Sequence, residues 1–167
     1  MSLRKSLAIT AILVSMLCAT SALALDAGAR LPEIGISDLA GRRVDLASLQ
    51  GKVAVIDFWA TWCAPCKQEL PVLQKLYDKY KGRGLMVVGV SVDQDAANVG
   101  PFVKQLHLTF PIAHDKGHSV ADRYRPPRMP SSYVVDRHGV IRYVHGGFRS
   151  GDDSKLESEI NTLLAQQ

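Results

Sequence analysis

Two continuous apolar runs are the strongest strand signals in the chain. Val53 to Trp59 is apolar except for one acid, Asp57, and Leu85 to Val92 is a second run of similar length. Such runs are typical of strands that are buried on both faces of a sheet. Between them, apolar residues recur at helical spacing from Cys63 to Tyr80, and two glycines predict the end of that helix. The centre of the chain therefore predicts a strand–helix–strand unit.

The flanking segments predict shorter elements around this unit. Residues 34–44 predict a hairpin that turns at Gly41. The remaining predictions are a turn at 48–52, a helix at 96–108 with a break at Gly100-Pro101, a strand at 110–113, a helix at 120–124, paired strands at 132–136 and 140–145, and an amphipathic helix at 152–165. Strands that alternate with helices, followed by a hairpin and a closing helix, predict one α/β domain with a central mixed sheet.

The first 24 residues have the layout of a secretory signal peptide. Arg4 and Lys5 precede an almost wholly apolar stretch, and Ala22-Leu23-Ala24 is a small-residue cleavage site. We expect residues 1–24 to be removed and residues 25–167 to form the domain, in the periplasm or another extracytoplasmic space. The alternative is an uncleaved membrane anchor, because the apolar stretch is just long enough to span a bilayer.

Charge and composition exclude several classes of protein. The hydrophobic and charged fractions, 47% and 22%, are ordinary for a globular domain. Loss of Arg4 and Lys5 with the signal peptide lowers the net charge from +4 to +2. A basic surface for nucleic acid is therefore unsupported. Loss of Cys18 leaves two cysteines, Cys63 and Cys66, which are too few for a disulfide-dense scaffold.

The candidate chemistry lies in Trp62-Cys63-Ala64-Pro65-Cys66, which follows a buried strand and opens a helix. A cysteine at a helix N-terminus faces unpaired N–H groups and the positive end of the helix dipole, which favour the thiolate. Cys63 is therefore the candidate nucleophile. Cys66 lies on the same side of the first turn and can close a disulfide with it. Pro65 is tolerated in a first turn, and its rigidity should position the two sulfurs.

Two other interpretations of the cysteine pair were weighed. A structural disulfide stabilises a protein mainly by closing a long loop, and this loop is minimal. A zinc site needs four ligands, and the nearest histidine pair, His114 and His118, flanks a predicted loop. Redox chemistry is favoured over both.

The segment from Asp57 to Lys67 resembles the active-site segment of thioredoxin-like proteins. Leu49-Gln50-Gly51-Lys52 before it and Glu69-Leu70-Pro71 after it resemble the TlpA/ResA group of extracytoplasmic thiol-disulfide oxidoreductases. This resemblance implies a three-layer fold whose central mixed sheet is flanked by helices, with an N-terminal hairpin and a strand-helix insertion at residues 85–113. Residues 129–136 resemble the family's cis-proline segment, so Pro130 is expected to be cis and to lie against the cysteines.

The resemblance also implies roles for individual residues. Asp57 or Glu69 would accept the proton of Cys66; the alternatives are a structural hydrogen-bonded Asp57 and a solvated Glu69. The residues expected to contact the substrate are Trp62, Ala64, Pro65, Met129 and Pro130. Arg123, Arg125 and Arg128 form either a positive rim around this site or an ordinary solvated face. No metal is expected, and no cofactor besides the Cys63–Cys66 disulfide.

The predicted activity is thiol-disulfide exchange, in the direction of a reductase. The resemblance implies protein substrates such as apocytochrome c or copper-assembly proteins, a membrane electron donor of the DsbD or CcdA kind, and no nucleic acid. The chain is expected to act as a monomer. A thiol peroxidase is an alternative, but it needs a P-x-x-x-T-x-x-C frame, and Thr61 lies only two residues before Cys63. A metal-binding module is the alternative outside enzymes.

Overall fold

The computed structural model describes residues 25–166. The predicted signal peptide, residues 1–24, lies outside the described residues. In chain order, the strands and helices are β1 (Ile36–Ser37), β2 (Arg43–Val44), α1 (Leu46–Leu49), β3 (Val53–Trp59), α2 (Ala64–Tyr80), β4 (Leu85–Ser91), α3 (Val99–Gln105), β5 (Ile112–His114), α4 (Ser119–Tyr124), β6 (Ser131–Val135), β7 (Ile141–Gly146) and α5 (Asp152–Ala165). Short 3-10 turns at Lys81–Arg83 and Ala96–Asn98 precede β4 and α3.

Five strands form one mixed sheet in the order β5-β4-β3-β6-β7. β3, β4 and β5 are parallel, whereas β6 runs antiparallel to β3 and β7 runs antiparallel to β6. β1 and β2 form a separate hairpin, as residues 34–44 predicted. β4, α3 and β5 occupy the predicted insertion, and β5 forms one edge of the sheet. The fold is the three-layer thioredoxin-like arrangement that was predicted.

Both faces of the sheet are covered, which gives the domain two apolar cores. One core lies between the sheet and helices α2 and α5, and it contains both cysteines and the side chain of Trp59. The other lies on the opposite face, where α4, α1 and the N-terminal segment contribute Tyr124, Leu49 and Ile34. Every residue of β3 is buried. This explains why β3 is a continuous apolar run rather than an alternating pattern.

Two details of the predicted elements differ in the structure. Residues 46–49 form helix α1, which the sequence did not predict, and the turn predicted at 48–52 is confined to residues 50–52. Asp45 accepts a hydrogen bond from the Ser48 N–H, and the Ser48 hydroxyl caps the Asp45 N–H in return. Gly100-Pro101 does not break the second predicted helix, because Pro101 lies in the first turn of α3, where its missing N–H would have no helical partner.

Among residues 25–166, no helix is long and apolar enough to cross a membrane.

Candidate active site

The end of β3 and the start of α2 position the two cysteines. Residues 60–62 turn the chain out of the sheet, and Cys63 is the N-cap of α2. Its backbone is extended, as an N-cap requires, and its Sγ accepts a hydrogen bond from the Cys66 N–H over 3.2 Å. Pro65 lies in the first turn and costs the helix no hydrogen bond. The local sequence therefore directs one sulfur at the helix amides.

Cys63 and Cys66 are joined in a disulfide, with 5.3 Å between their Cα atoms. Both are buried, but unequally: Cys63 is 4% exposed and Cys66 has no exposed surface. Cys63 is therefore the sulfur that a partner can approach. The roles of nucleophile for Cys63 and resolving cysteine for Cys66 stay predictions, and the unequal exposure is what those roles require.

Asp93 ties the loop before Cys63 to the end of β4, and the sequence did not point to it. Its carboxylate accepts hydrogen bonds from the N–H and hydroxyl of Thr61, the latter over 2.6 Å, and from the Ser91 hydroxyl over 2.7 Å. Three donors on one 3%-exposed carboxylate hold the loop firmly against the sheet. One sequence feature could have indicated Asp93: it follows β4, a buried parallel strand, at the edge of the sheet where the side chains after neighbouring strands meet.

Two buried carboxyl groups, Asp57 on β3 and Glu69 on α2, are linked by a serine that the sequence also left unassigned. Ser132 Oγ is 3.0 Å from Asp57 Oδ1 and 2.7 Å from Glu69 Oε1. Asp57 is fully buried and Glu69 is 2% exposed, so the interpretation of Glu69 as a solvated helix charge is wrong. Ser132 faces Asp57 across the β3–β6 pairing. Glu69 reaches it from α2, three residues after Cys66.

Burial changes the acidity of both carboxyl groups. Loss of hydration raises the pKa of Glu69 to about 7, opposed by the Ser132 hydrogen bond. Burial, followed by repulsion from Glu69, raises the pKa of Asp57 well above its ordinary value. A carboxyl whose pKa lies at about 7, as that of Glu69 does, is suited to proton transfer near neutral pH.

The Met129–Pro130 peptide bond is cis, as the resemblance implied. Pro130 is buried directly before β6, and Ser131 pairs with Phe58, so the proline lies at the end of the sheet where β3 leads to Cys63. Met129 packs against the core cluster that contains both cysteines. It also lines an open cleft of about 590 Å³, together with Val92 and other residues.

The other predicted contact residues surround the disulfide at different depths. Trp62 is 67% exposed, and it is one of three large apolar side chains with much exposed surface among residues 25–166. Ala64 is exposed, whereas Pro65 is half-buried. Trp62 and Ala64 are thus available to a partner, and Trp59 packs in the core as expected.

The three arginines do not form one positive rim. The guanidinium of Arg123 donates to the backbone carbonyls of Glu33 and Ile34, over 3.1 and 3.0 Å, and is held by the N-terminal segment. Arg125 alone of the three lines the cleft beside Met129.

The histidines considered as zinc ligands hydrogen-bond to the backbone after β4. His114 Nε2 is 2.6 Å from the carbonyl of Asp93, and His118 Nε2 is 3.2 Å from that of Val92. Within residues 25–166, no three His, Cys, Asp or Glu side chains are grouped to hold a metal ion.

The fold, the cysteine pair at the mouth of α2 and the cis-proline before β6 are those of thioredoxin-like thiol-disulfide oxidoreductases. A profile of the AhpC/TSA family matches residues 27–144. The chain therefore belongs to the AhpC/TSA family.

ResA proteins are among the relatives of this chain. The chain is 37% identical over 114 residues to the thiol-disulfide oxidoreductase ResA of Bacillus cereus, covering 68% of this chain and 66% of that protein. It is 40% identical over 124 residues to ResA of Oceanobacillus iheyensis, covering 74% and 64%. The matched region thus spans slightly less than two thirds of these two relatives.

Solved structures show the same arrangement. A Chlorobium tepidum protein described as the thiol:disulfide interchange protein DsbE superposes with a TM-score of 0.81 at 34% identity, covering 85% of this chain and all of that one. A secreted disulfide oxidoreductase of Mycobacterium tuberculosis, described as homologous to DsbE of E. coli, gives 0.65 at 26% identity, covering 77% and 94%.

Proposed function

We propose that this protein reduces disulfides in partner proteins outside the cytoplasm by exchange with its Cys63–Cys66 pair. The observation that carries the proposal is the position of Cys63, which caps α2 and accepts the Cys66 N–H while its partner sulfur lies fully buried. Cys63 can therefore attack a disulfide of a partner at the surface, whereas Cys66 can reach only the sulfur of Cys63.

The first step uses Cys63 as the nucleophile. In the reduced protein, the helix amides and the helix dipole stabilise its thiolate. The thiolate attacks one sulfur of the partner's disulfide, a new bond joins Cys63 to that sulfur, and the second sulfur leaves as a thiolate. Trp62 and the cleft beside Met129 provide the surface on which the partner rests.

The second step uses Cys66 and the buried carboxyls. Cys66 loses its proton to the pair formed by Asp57 and Glu69 and attacks Cys63 Sγ. The Cys63–Cys66 disulfide forms, the bond to the partner breaks, and the partner leaves with both of its sulfurs reduced. Two electrons have passed to the partner, and a reductant must restore the protein.

Resemblance supports the direction of the reaction. The Ala64-Pro65 dipeptide is similar to that of reducing members of the TlpA/ResA group, and no histidine lies between the cysteines to stabilise the reduced form. We propose a membrane electron donor of the DsbD or CcdA kind. The proposed partners are apocytochrome c or copper-assembly proteins. The secreted relative from Mycobacterium tuberculosis and the signal-like residues 1–24 support a location outside the cytoplasm.

Trapping of the mixed disulfide tests the proposal. In Cys66→Ser the resolving sulfur is absent, so partners should remain covalently attached to Cys63, where mass spectrometry after non-reducing electrophoresis identifies them. Cys63→Ser is the matched control, because it keeps one cysteine of the pair but removes the attacking sulfur. Equal capture by both variants, or capture by neither, would contradict the proposal.

The alternative functions give different results in the same preparations. A thiol peroxidase would consume hydrogen peroxide at a rate that depends on Cys63. A metal-binding module would retain stoichiometric zinc or copper after dialysis and lose it in Cys63→Ser. The proposed reductase does neither.

A further inference from the structure

The Ser132 hydroxyl makes two contacts with only one hydrogen to donate. Its oxygen is 2.7 Å from Glu69 Oε1 and 3.0 Å from Asp57 Oδ1, and all three side chains are buried. A hydroxyl can donate to one of these oxygens, and an ionised carboxylate can only accept. For both contacts to be hydrogen bonds, the other carboxyl must donate a proton of its own. The geometry therefore holds one proton on the pair.

No buried cation offers another way to balance the two carboxyls. Among residues 25–166, no Lys or Arg forms an ion pair with Asp57 or Glu69. Asp57 and Glu69 also hydrogen-bond to each other, which two ionised carboxylates cannot do, and Asp57 Oδ2 and Glu69 Oε2 have no other partner among residues 25–166. Two adjacent buried negative charges without a partner would be strongly unfavourable, so a state with one shared proton is preferred.

We infer that Asp57 and Glu69 share one proton through Ser132, and that Ser132 is the positioning residue that passes it between them during disulfide exchange. The inference rests on the proposed function only in taking Cys66 as the sulfur that must lose a proton. Ser132 donates to whichever carboxyl is ionised and accepts from the other. A proton that enters at one carboxyl can thus leave from the other after a single concerted shift.

Glu69 also lines a small cavity on the side of the sheet that α5 covers. Its volume is about 10 Å³, close to the least volume that holds one water molecule. The charged or titratable neighbours there are His145 on β7 and Asp152 on α5. His145 Nε2 is 2.6 Å from the Glu159 carboxylate, and Asp152 raises the pKa of Glu69 by charge repulsion. The cavity therefore places Glu69, the member of the pair that lines it, beside two further titratable side chains.

The proton balance follows from this arrangement. Before Cys66 attacks, the pair holds one proton and one negative charge. As the Cys66–Cys63 bond forms, the Cys66 proton moves to the pair, which becomes neutral, and the partner sulfur departs as a thiolate. Glu69 then releases one proton through the cavity and the pair returns to its starting charge. Burial raises the pKa of both carboxyls, that of Glu69 to about 7, which agrees with a pair that keeps one proton.

A double-variant cycle with glutathione as the probe tests the relay. Reduced protein is mixed with oxidised glutathione and quenched in acid, and mass spectrometry follows the conversion of the Cys63–glutathione adduct into the Cys63–Cys66 disulfide from pH 5 to 9. At pH 7 we expect Ser132→Ala and Glu69→Gln each to slow this step at least about tenfold. The double variant should be no slower than Ser132→Ala, because both changes interrupt one route.

Two variants separate the relay from a structural role. Ser132→Thr keeps the hydroxyl and should restore the rate and its pH dependence. Ser131→Ala removes an equally buried hydroxyl that binds the Arg128 carbonyl and touches neither acid, so it should behave as the wild type. If Ser132→Ala does not fold, the same cycle is run with Asp57→Asn and Glu69→Gln, which preserve the shapes of the acids.

The relay would be overturned if the rate of the double variant fell by the product of the two single effects, or if Ser132→Ala kept the pH profile of the wild type. This assay uses glutathione and needs no protein partner. Absence of trapped proteins in Cys66→Ser would therefore contradict the proposed function alone, and independent effects of the two variants on the glutathione reaction would contradict the relay alone.

Discussion

The backbone N–H of Cys66 donates to the sulfur of Cys63 over 3.2 Å, so one cysteine of the pair supports the other's sulfur. In the disulfide form Cys63 lies at the helix mouth with 4% of its surface exposed, whereas Cys66 has none exposed, and we expect the same order of access after reduction. We expect iodoacetamide at pH 7 to alkylate Cys63 at least about tenfold faster than Cys66. Peptide mapping over time measures both rates, and equal rates would contradict the assignment of the nucleophile.

Glu69 should make the protein less stable as the pH rises. Its pKa is raised from 4.5 to about 7, so the unfolded chain gives up this proton at a lower pH than the folded protein. The stabilising contribution is complete below pH 4.5 and is lost as the pH rises through about 7. Glu69→Gln cannot ionise. As the pH rises through this window, the unfolding free energy of Glu69→Gln minus that of the wild type, both measured in urea, should increase by up to about 3 kcal/mol.

Glu157→Gln is the control for this titration. Glu157 is bound by Lys79 and the Tyr80 hydroxyl, which lower its pKa. Because that carboxylate is mostly ionised above pH 5 in both states, its effect on stability should change by less than about 0.3 kcal/mol between pH 5 and 8. If the difference in unfolding free energy between Glu69→Gln and the wild type also stays constant with pH, burial does not hold Glu69 in its acid form.

Trp62 should matter for protein partners and little for stability. The side chain is 67% exposed directly before Cys63. We expect Trp62→Ala to change the unfolding free energy by less than about 0.5 kcal/mol and to slow reduction of a protein disulfide about tenfold. Its rate with oxidised glutathione should stay close to that of the wild type. Leu39→Ala, which removes an apolar side chain that is 51% exposed on the β1–β2 turn, should leave both rates unchanged.

Gly89 is the position on β4 where the chain leaves room for Trp59. A Cβ at Gly89 would lie 2.9 Å from Trp59 Nε1 and 2.7 Å from Ile112 Cδ1. Trp59 is fully buried and stacks on Phe102, so the indole has little freedom to move. Gly89→Ala should lower the unfolding free energy by about 1–3 kcal/mol. Gly82→Ala, with open space at its Cβ, should change it by less than about 0.5 kcal/mol.

The sequence predicted the fold well because its strongest patterns can each be satisfied by few arrangements of the whole chain. The apolar run of β3 can be satisfied only in a sheet covered on both faces, and the helical spacing after Cys63 supplies one of those covers. Short elements were less predictable. Helix α1 depends on reciprocal hydrogen bonds between Asp45 and Ser48. The same two residue types are equally typical of a turn.

The cysteines were identifiable from their position between strand and helix, but their supporting groups were not. Ser132 hydrogen-bonds to Glu69, which is 63 positions earlier in the chain. Asp93 hydrogen-bonds to Thr61, which is 32 positions earlier. Such pairs become visible only when β6 and β4 are placed beside β3. The sequence left open whether Arg123 belongs to a positive rim or to a solvated face, and its guanidinium instead donates to carbonyls of the N-terminal segment.

The reduction potential of the Cys63–Cys66 pair tests the proposed direction of electron flow most directly. The protein is equilibrated in glutathione buffers of defined ratio, and its thiols are then alkylated and counted by mass spectrometry. A reductase should have a potential below about −200 mV, towards the value of about −270 mV for thioredoxin. A value near −120 mV, that of the strong oxidant DsbA, would contradict the account and make this protein an oxidase.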